Sequence, residues 1–212
     1  MISILIVCLL IFLILILSEF LRRTKKLQPE LTRKLVHISS GVLVAFLPYF
    51  VNYQQIQALS LAFLFVIGLS AKFNIFRSIH SVQRVTKGEI LFAVSIGFCA
   101  LFQPTDWIFT VAILHLALAD ALAAIVGTKW GRRTHYTILS HGKSLLGSLA
   151  FFYASMAIFL GLIVLSSTQL PSVYLLVLVI PTILTLLENI SWYGTDNLTV
   201  PLMTIFLLSS IS

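Results

Sequence analysis

His115–Arg133 reads HLALADALAAIVGTKWGRR. It is an apolar run broken by one carboxylate, Asp120, and closed by Lys129, Arg132 and Arg133. An apolar segment followed by a short basic cluster marks a membrane-spanning helix whose charged end stays cytoplasmic. The same order recurs along the chain. Arg22, Arg23, Lys25, Lys26, Arg33 and Lys34 follow the first apolar segment, and Lys72, Arg77, Arg84 and Lys87 follow the third. With Lys143 added to the cluster after the fifth, these account for all 14 Lys and Arg. Of the 212 residues 59% are hydrophobic and 10% charged, with a mean hydropathy of +1.05. A soluble domain carries roughly a quarter charged residues, so this composition excludes one. The net charge of +7 then reads as positive-inside bias plus attraction for lipid or nucleotide phosphates. Nucleic acid is not an expected partner, because no soluble domain presents a basic patch.

Working outward from Asp120, the predicted spans are 2–20, 37–51, 56–71, 89–103, 107–127, 144–166, 172–188 and 199–212. Backbone amides in lipid must be satisfied within their own helix. The expected fold is therefore all-α, a polytopic bundle of about seven or eight transmembrane helices, forming one catalytic domain over residues 1–212. The basic loops place the N-terminus outside and the polar face inside, with an uncleaved first span. The expected outside loops, 52–55, 104–106 and 167–171, carry one acid, Asp106, and no Lys or Arg. Cys8 and Cys99 lie in apolar runs without metal spacing and are expected to be buried thiols. Trp107, Trp130 and Trp192 fall at span ends, as an aromatic belt requires.

Four stretches carry polar groups that a membrane span does not need. A charge at the depth of Asp120 costs roughly 2.5–3.5 kcal/mol on insertion scales and calls for a metal, a cation or a proton. Asp120, Ala124 and Gly127 share a face lined by small residues, which permits close approach of a helix or a ligand. His115 lies off that face and is expected to be a packed, hydrogen-bonded histidine. Next, SHGKSLLGSLAFF (Ser140–Phe152) places Gly142, Lys143 and Ser144 at the expected start of the sixth span, with Gly147 one turn in. Free amides, a glycine and one lysine at a helix start make a phosphate cradle, although an ordinary helix start with a snorkelling lysine gives the same pattern. The third stretch, ENISWYGTDNLTVPL (Glu188–Leu202), holds Glu188, Asn189, Asp196 and Asn197. Asp196 suits an N-cap, yet four such side chains exceed what capping needs, and oxygen ligands suit Mg²⁺. The fourth, ELTRKLVHISSG (Glu30–Gly41), puts Arg33 and His37 on one helix face with Lys34 at its border. His37 is a candidate general base or phosphate contact. Glu89, after Gly88, is a further acid of the site or a simple helix start.

RKLVHISSG (Arg33–Gly41), LADALAAIVGTKWGRR (Leu118–Arg133), HGKSLLGSLAFF (His141–Phe152) and TDNLTVPL (Thr195–Leu202), in this order, resemble the polyprenol kinase family. That family includes phytol kinases, dolichol kinases and CTP-dependent diacylglycerol kinases, and the chain is similar in length to phytol kinases. A more distant likeness is to phosphatidate cytidylyltransferases, whose C-terminal acidic signature is missing here. Ala119 stands where the family often has glycine. The resemblance implies transfer of the γ-phosphate of a nucleotide, CTP or another NTP, to the hydroxyl of a membrane alcohol such as phytol, geranylgeraniol or a polyprenol. It implies Asp120, Lys143 and His37 as catalytic residues. Arg33, Lys34, Arg132, Arg133, Gly142, Ser144 and Gly147 are the expected nucleotide contacts. Asp120, Glu188, Asp196 and Asn197 are the expected Mg²⁺ ligands. The competing expectations are a CTP-dependent diacylglycerol kinase or a phosphatidate cytidylyltransferase with the same metal site and, further, a small transporter using Asp120 as a relay.

Overall fold

The computed structural model describes residues 2–24, 29–73, 88–139, 141–165, 174–192 and 194–211. Lys25, Lys26, Arg77, Arg84 and Lys87 of the basic clusters lie outside these residues, as does the expected outer loop 167–171. Helix α1 is Ile2–Thr24, α2 is Pro29–Ala45, and α3 is Tyr53–Phe73. Helix α4 is Gly88–Leu101. Helix α5 runs as Asp106–Leu114, a wide π-helical turn His115–Ala119, and Asp120–Trp130. Helix α6 is Leu145–Leu165, α7 is the wide turn Leu175–Val179 plus Ile180–Ile190, and α8 is Asp196–Ser209. Four of these segments are long and apolar enough to cross a membrane: Ile2–Thr24, Tyr53–Ser70, Asp106–Thr134 and Leu145–Val164. The chain is thus the helical membrane bundle that its composition demands.

Burial picks out the central helix. The α5 segment is 67% buried, against 22–28% for the other three long spans. Phe109, Ile113 and Leu116 of α5 are fully enclosed with Phe151 and Phe159 of α6, Leu184 of α7 and Leu208 of α8. Elsewhere large apolar side chains point outward, among them Leu5, Leu9, Phe65 and Val164, as lipid contact requires. Small residues let the neighbours of α5 approach. A Cβ at Gly41 of α2 would overlap Ala117 of α5, and Gly147 of α6 lies against Gly127 of α5.

Three expectations change. The second helix begins eight residues earlier than the hydropathy edge at 37, because Arg33 and Lys34 sit on its inner side rather than in a loop. Gly142, Lys143 and Ser144 are not the first turn of α6, though Ser144 caps it. They form strand β2 (His141–Ser144), paired antiparallel with β1 (His135–Ile138), in register Tyr136↔Lys143. This hairpin is the one departure from an all-helical fold among the described residues, and it lies at a bundle end where strand backbone need not face hydrocarbon. Leu139 turns it with φ 47°. Finally, Cys99 is buried but Cys8 is exposed, on the outward side of α1.

The wide turns have different origins. In α7 the turn precedes Pro181, which has no N–H for the ladder. In α5 no proline is near. There the Asp120 N–H reaches back five residues to His115 O, leaving Leu116 O, four residues back, to another donor. His37 Nε2 of α2 lies 2.9 Å from that oxygen.

Candidate active site

The helix ends that carry basic residues enclose a cavity of about 550 Å³. It is built from α2 (Arg33, Lys34), α5 (Asp120, Ala124, Gly127, Thr128), the hairpin (His135, Gly142, Lys143, Ser144), α7 (Glu188) and α8 (Asp196, Asn197). Four stretches far apart in sequence therefore supply one pocket.

Asp120 is reached by Lys34, whose Nζ lies 3.2 Å from Oδ2, and Lys34 is itself buried. His37 Nε2 stands 3.8 Å from the same oxygen. A carbonyl only accepts, so the bond to Leu116 O requires a hydrogen on His37 Nε2. That nitrogen is not available as a general base. The ring rests against Phe92, with centroids 4.6 Å apart. The cation that an intramembrane carboxylate calls for is thus a lysine 86 residues away in sequence.

Across the pocket, Lys143 donates to Glu188 Oε1 at 2.5 Å and to Glu188 O at 2.9 Å. The hairpin that carries Lys143 is pinned from behind. Tyr136 Oη lies 2.8 Å and Ser148 Oγ 2.7 Å from Asn189 Oδ1, and the two hydroxyls are 2.6 Å apart. Asn189 is therefore an anchor for the hairpin. Sequence reasoning missed Tyr136; the signal was the run HYTI before a short polar turn, which alternates like a strand.

Ser144 does not face the cavity as a free hydroxyl. Its Oγ accepts from Gly147 N at 3.1 Å, capping α6. Gly147 lines the cavity and also stands at the close α5–α6 crossing. Arg132 and Arg133 lie in the turn Gly131–Thr134, exposed and away from the cavity lining. Arg33 and Gly142 do line it. Asp196 is not an N-cap. It is the first residue of α8, after Thr195, and its Oδ1 accepts from the N–H of Asn197. Glu89 lies outside this cavity, at the edge of the neighbouring one. His115 is packed as expected. Its Nδ1 donates to Val111 O at 2.7 Å, and its Nε2 lies 2.7 Å from Ser155 Oγ.

The fit of a cation can be tested on these atoms. Among the described residues, no three His, Cys, Asp or Glu side chains form a ready-made metal cluster. Glu188 is committed to Lys143. Asn197, by contrast, donates through Nδ2 to Gly88 O at 3.0 Å, while its buried Oδ1 meets no hydrogen-bond partner among the described residues. An orphaned buried oxygen on a residue that lines the same cavity as Asp196 and Asp120 fits one hard cation that takes its remaining ligands from phosphates and water.

Two lysines, three carboxylates and a spare amide oxygen at one end of a membrane bundle define a class, an integral-membrane enzyme that handles phosphate. Comparison narrows it. Phytol kinase from Synechocystis sp. is 36% identical to this chain over 202 residues, covering 87% of this chain and 81% of the relative. The chain belongs to the polyprenol kinase family, of which phytol kinases are members, and is a phosphotransferase with an alcohol as acceptor. No protein-family model matches the chain, and no solved structure matches it.

Proposed function

We propose that this protein transfers the γ-phosphate of CTP to the hydroxyl of an isoprenoid alcohol of the phytol or geranylgeraniol type. The observation that carries the reading is the joint enclosure of Asp120, Lys34, Lys143, Asp196 and Asn197 in one cavity at the bundle end. Phosphoryl transfer demands positioning and charge stabilisation more than covalent chemistry, and these groups provide both. Lys143, held straight by Glu188, neutralises the transferring group. Arg33 and the main chain at Gly142 contact the remaining phosphates. Asp196, Asn197 Oδ1 and Asp120 would hold Mg²⁺, which when bound offsets charge on the donor phosphates. The alcohol's proton goes to a carboxylate oxygen of the site that holds neither metal nor lysine, since His37 Nε2 already carries hydrogen. The basic loops and the site lie on the cytoplasmic side, where the nucleotide is, and the alcohol tail stays in the bilayer.

The test uses membranes from cells expressing this chain. They receive γ-labelled CTP or ATP, Mg²⁺, and phytol, geranylgeraniol, a polyprenol or diacylglycerol. Label is expected in an isoprenoid phosphate with CTP, and absent with Asp120→Asn. With phosphatidate supplied instead, label from α-labelled CTP appearing in CDP-diacylglycerol, with release of pyrophosphate, would replace this reading by the cytidylyltransferase.

A further inference from the structure

We infer that the tail of the acceptor alcohol lies in a narrow slot between α2, α3 and α4, and that this slot selects single-chain alcohols over two-chain lipids. The inference rests on the kinase reading for its ligand, but on separate residues for its place.

Arg33 and Gly88 belong both to the charged cavity and to the mouth of this slot. Past the mouth, Ser40, Phe63 and Phe92 are shared between the mouth and a deeper apolar stretch. The three spaces therefore lie in a row, with the shared side chains standing between neighbours. Arg33, His37 and Ser40 recur at helical spacing on one face of α2, so the polar lining fades step by step from the phosphate end inward. The deep stretch ends at Leu47 and Ile56, which are 2% and 0% exposed. From Arg33 to Leu47 the helical rise gives about 20 Å, the length of an extended phytyl or geranylgeranyl chain. Each stretch has only about 30 Å³ of open room. Entry of a tail therefore requires the Phe63 and Phe92 rings to move aside, by one chain's width for a single tail and by more for paired acyl chains. A wider apolar cavity of about 550 Å³ does exist, lined by Trp107, Leu118, Leu122 and Ile158. It shares no lining residue with the charged cavity. Leu122 also lies about 200° around the helix from Asp120, so a tail held there leads away from the reacting hydroxyl.

Two measurements on the full-length protein in nanodiscs test this. The first is photolabelling with geranylgeraniol carrying a diazirine at its tail end. Label competed by unlabelled geranylgeraniol is expected on α3 and α4; label on the Trp107–Ile158 side, or none that competes, overturns the slot. The second compares KM for geranylgeraniol and geraniol in Val44→Phe, which narrows the deep stretch, with Leu122→Phe in the other cavity as control. The KM ratio should rise at least about tenfold in Val44→Phe and stay at the parent value in Leu122→Phe. An unchanged ratio in Val44→Phe, or a shift in Leu122→Phe, refutes the slot. Competed label on α3 and α4 from a protein that phosphorylates no alcohol would keep the slot and remove the kinase reading instead.

Discussion

Asp120 and Lys34 are the pair on which the pocket turns. Breaking a buried ion pair from one side leaves a bare charge and costs about 3–5 kcal/mol. Lys34→Met is therefore expected to lower the denaturation midpoint in detergent by an amount of that order. Adding Asp120→Asn should recover part of the loss, with a coupling of about 0.5–3 kcal/mol in the double-mutant cycle. Additive effects would show that the pair is not formed. For activity, Asp120→Asn and Lys143→Ala should each lower kcat at least about 10²-fold while the protein still inserts, as a labelled-CTP assay on quantified protein would report. Asp120 was legible in the sequence because a carboxylate inside an apolar run is costly by itself. Its partner was not, because nothing local distinguishes Lys34 from the other basic residues after the first span. The same limit applies to Asn189, whose role depends on Tyr136 and Ser148, distant in sequence.

The elements themselves were largely legible. Long apolar runs of the right length and basic residues at alternate ends specify helices and their order without tertiary information. What the hydropathy pattern hid was the hairpin, since His135–Ser144 is too short and too polar to register as a span and its glycine and lysine imitate a helix start. Its anchoring gives a prediction at this scale. Tyr136→Phe removes the hydroxyl that contacts both Asn189 and Ser148 and should cost at least about 0.5–1.5 kcal/mol. Because Lys143 sits opposite Tyr136 in the register, KM for the nucleotide should rise as well; a stability loss with unaltered KM would show that the hairpin does not position Lys143. The α5–α6 crossing gives another. At Gly127 an added Cβ would stand 2.8 Å from Ser144 Oγ, so Gly127→Val should destabilise by about 1–3 kcal/mol through overpacking, read as a lower melting temperature.

For the whole molecule, alternation of basic and uncharged helix ends gives the orientation proposed here. In a protein whose Cys8 and Cys99 are replaced by Ala, Lys129→Cys should react with an impermeant maleimide only after the cells are opened. Thr105→Cys, exposed at the opposite end of α5, should react in intact cells. The reverse pattern would invert the topology and move the pocket outside. At the end of the bundle opposite the pocket, Tyr53 Oη donates to Pro104 O at 2.6 Å and Gln57 Nε2 to Ala100 O at 3.1 Å, tying α3 to the last turn of α4 and to the α4–α5 connection. Fold class and membrane residence follow from composition, because lipid leaves the backbone few choices. The assembly of one pocket from four distant stretches follows from packing, which no single stretch records.

The wide turn in α5 holds a residue in reserve. A five-residue turn set in an ordinary helix is one residue longer than the helix needs to keep both flanks in phase. Removing Leu118 would let the turn close to regular geometry, with Asp120 still aimed at Lys34. Removing Leu122 instead would swing everything beyond the cut by about 100°, taking Gly127 off Gly147. Two deletions a few positions apart in one apolar run, identical in composition and hydropathy, should thus differ sharply. The first should forfeit chiefly the link from His37 to the Leu116 carbonyl, and the second the α5–α6 seam itself.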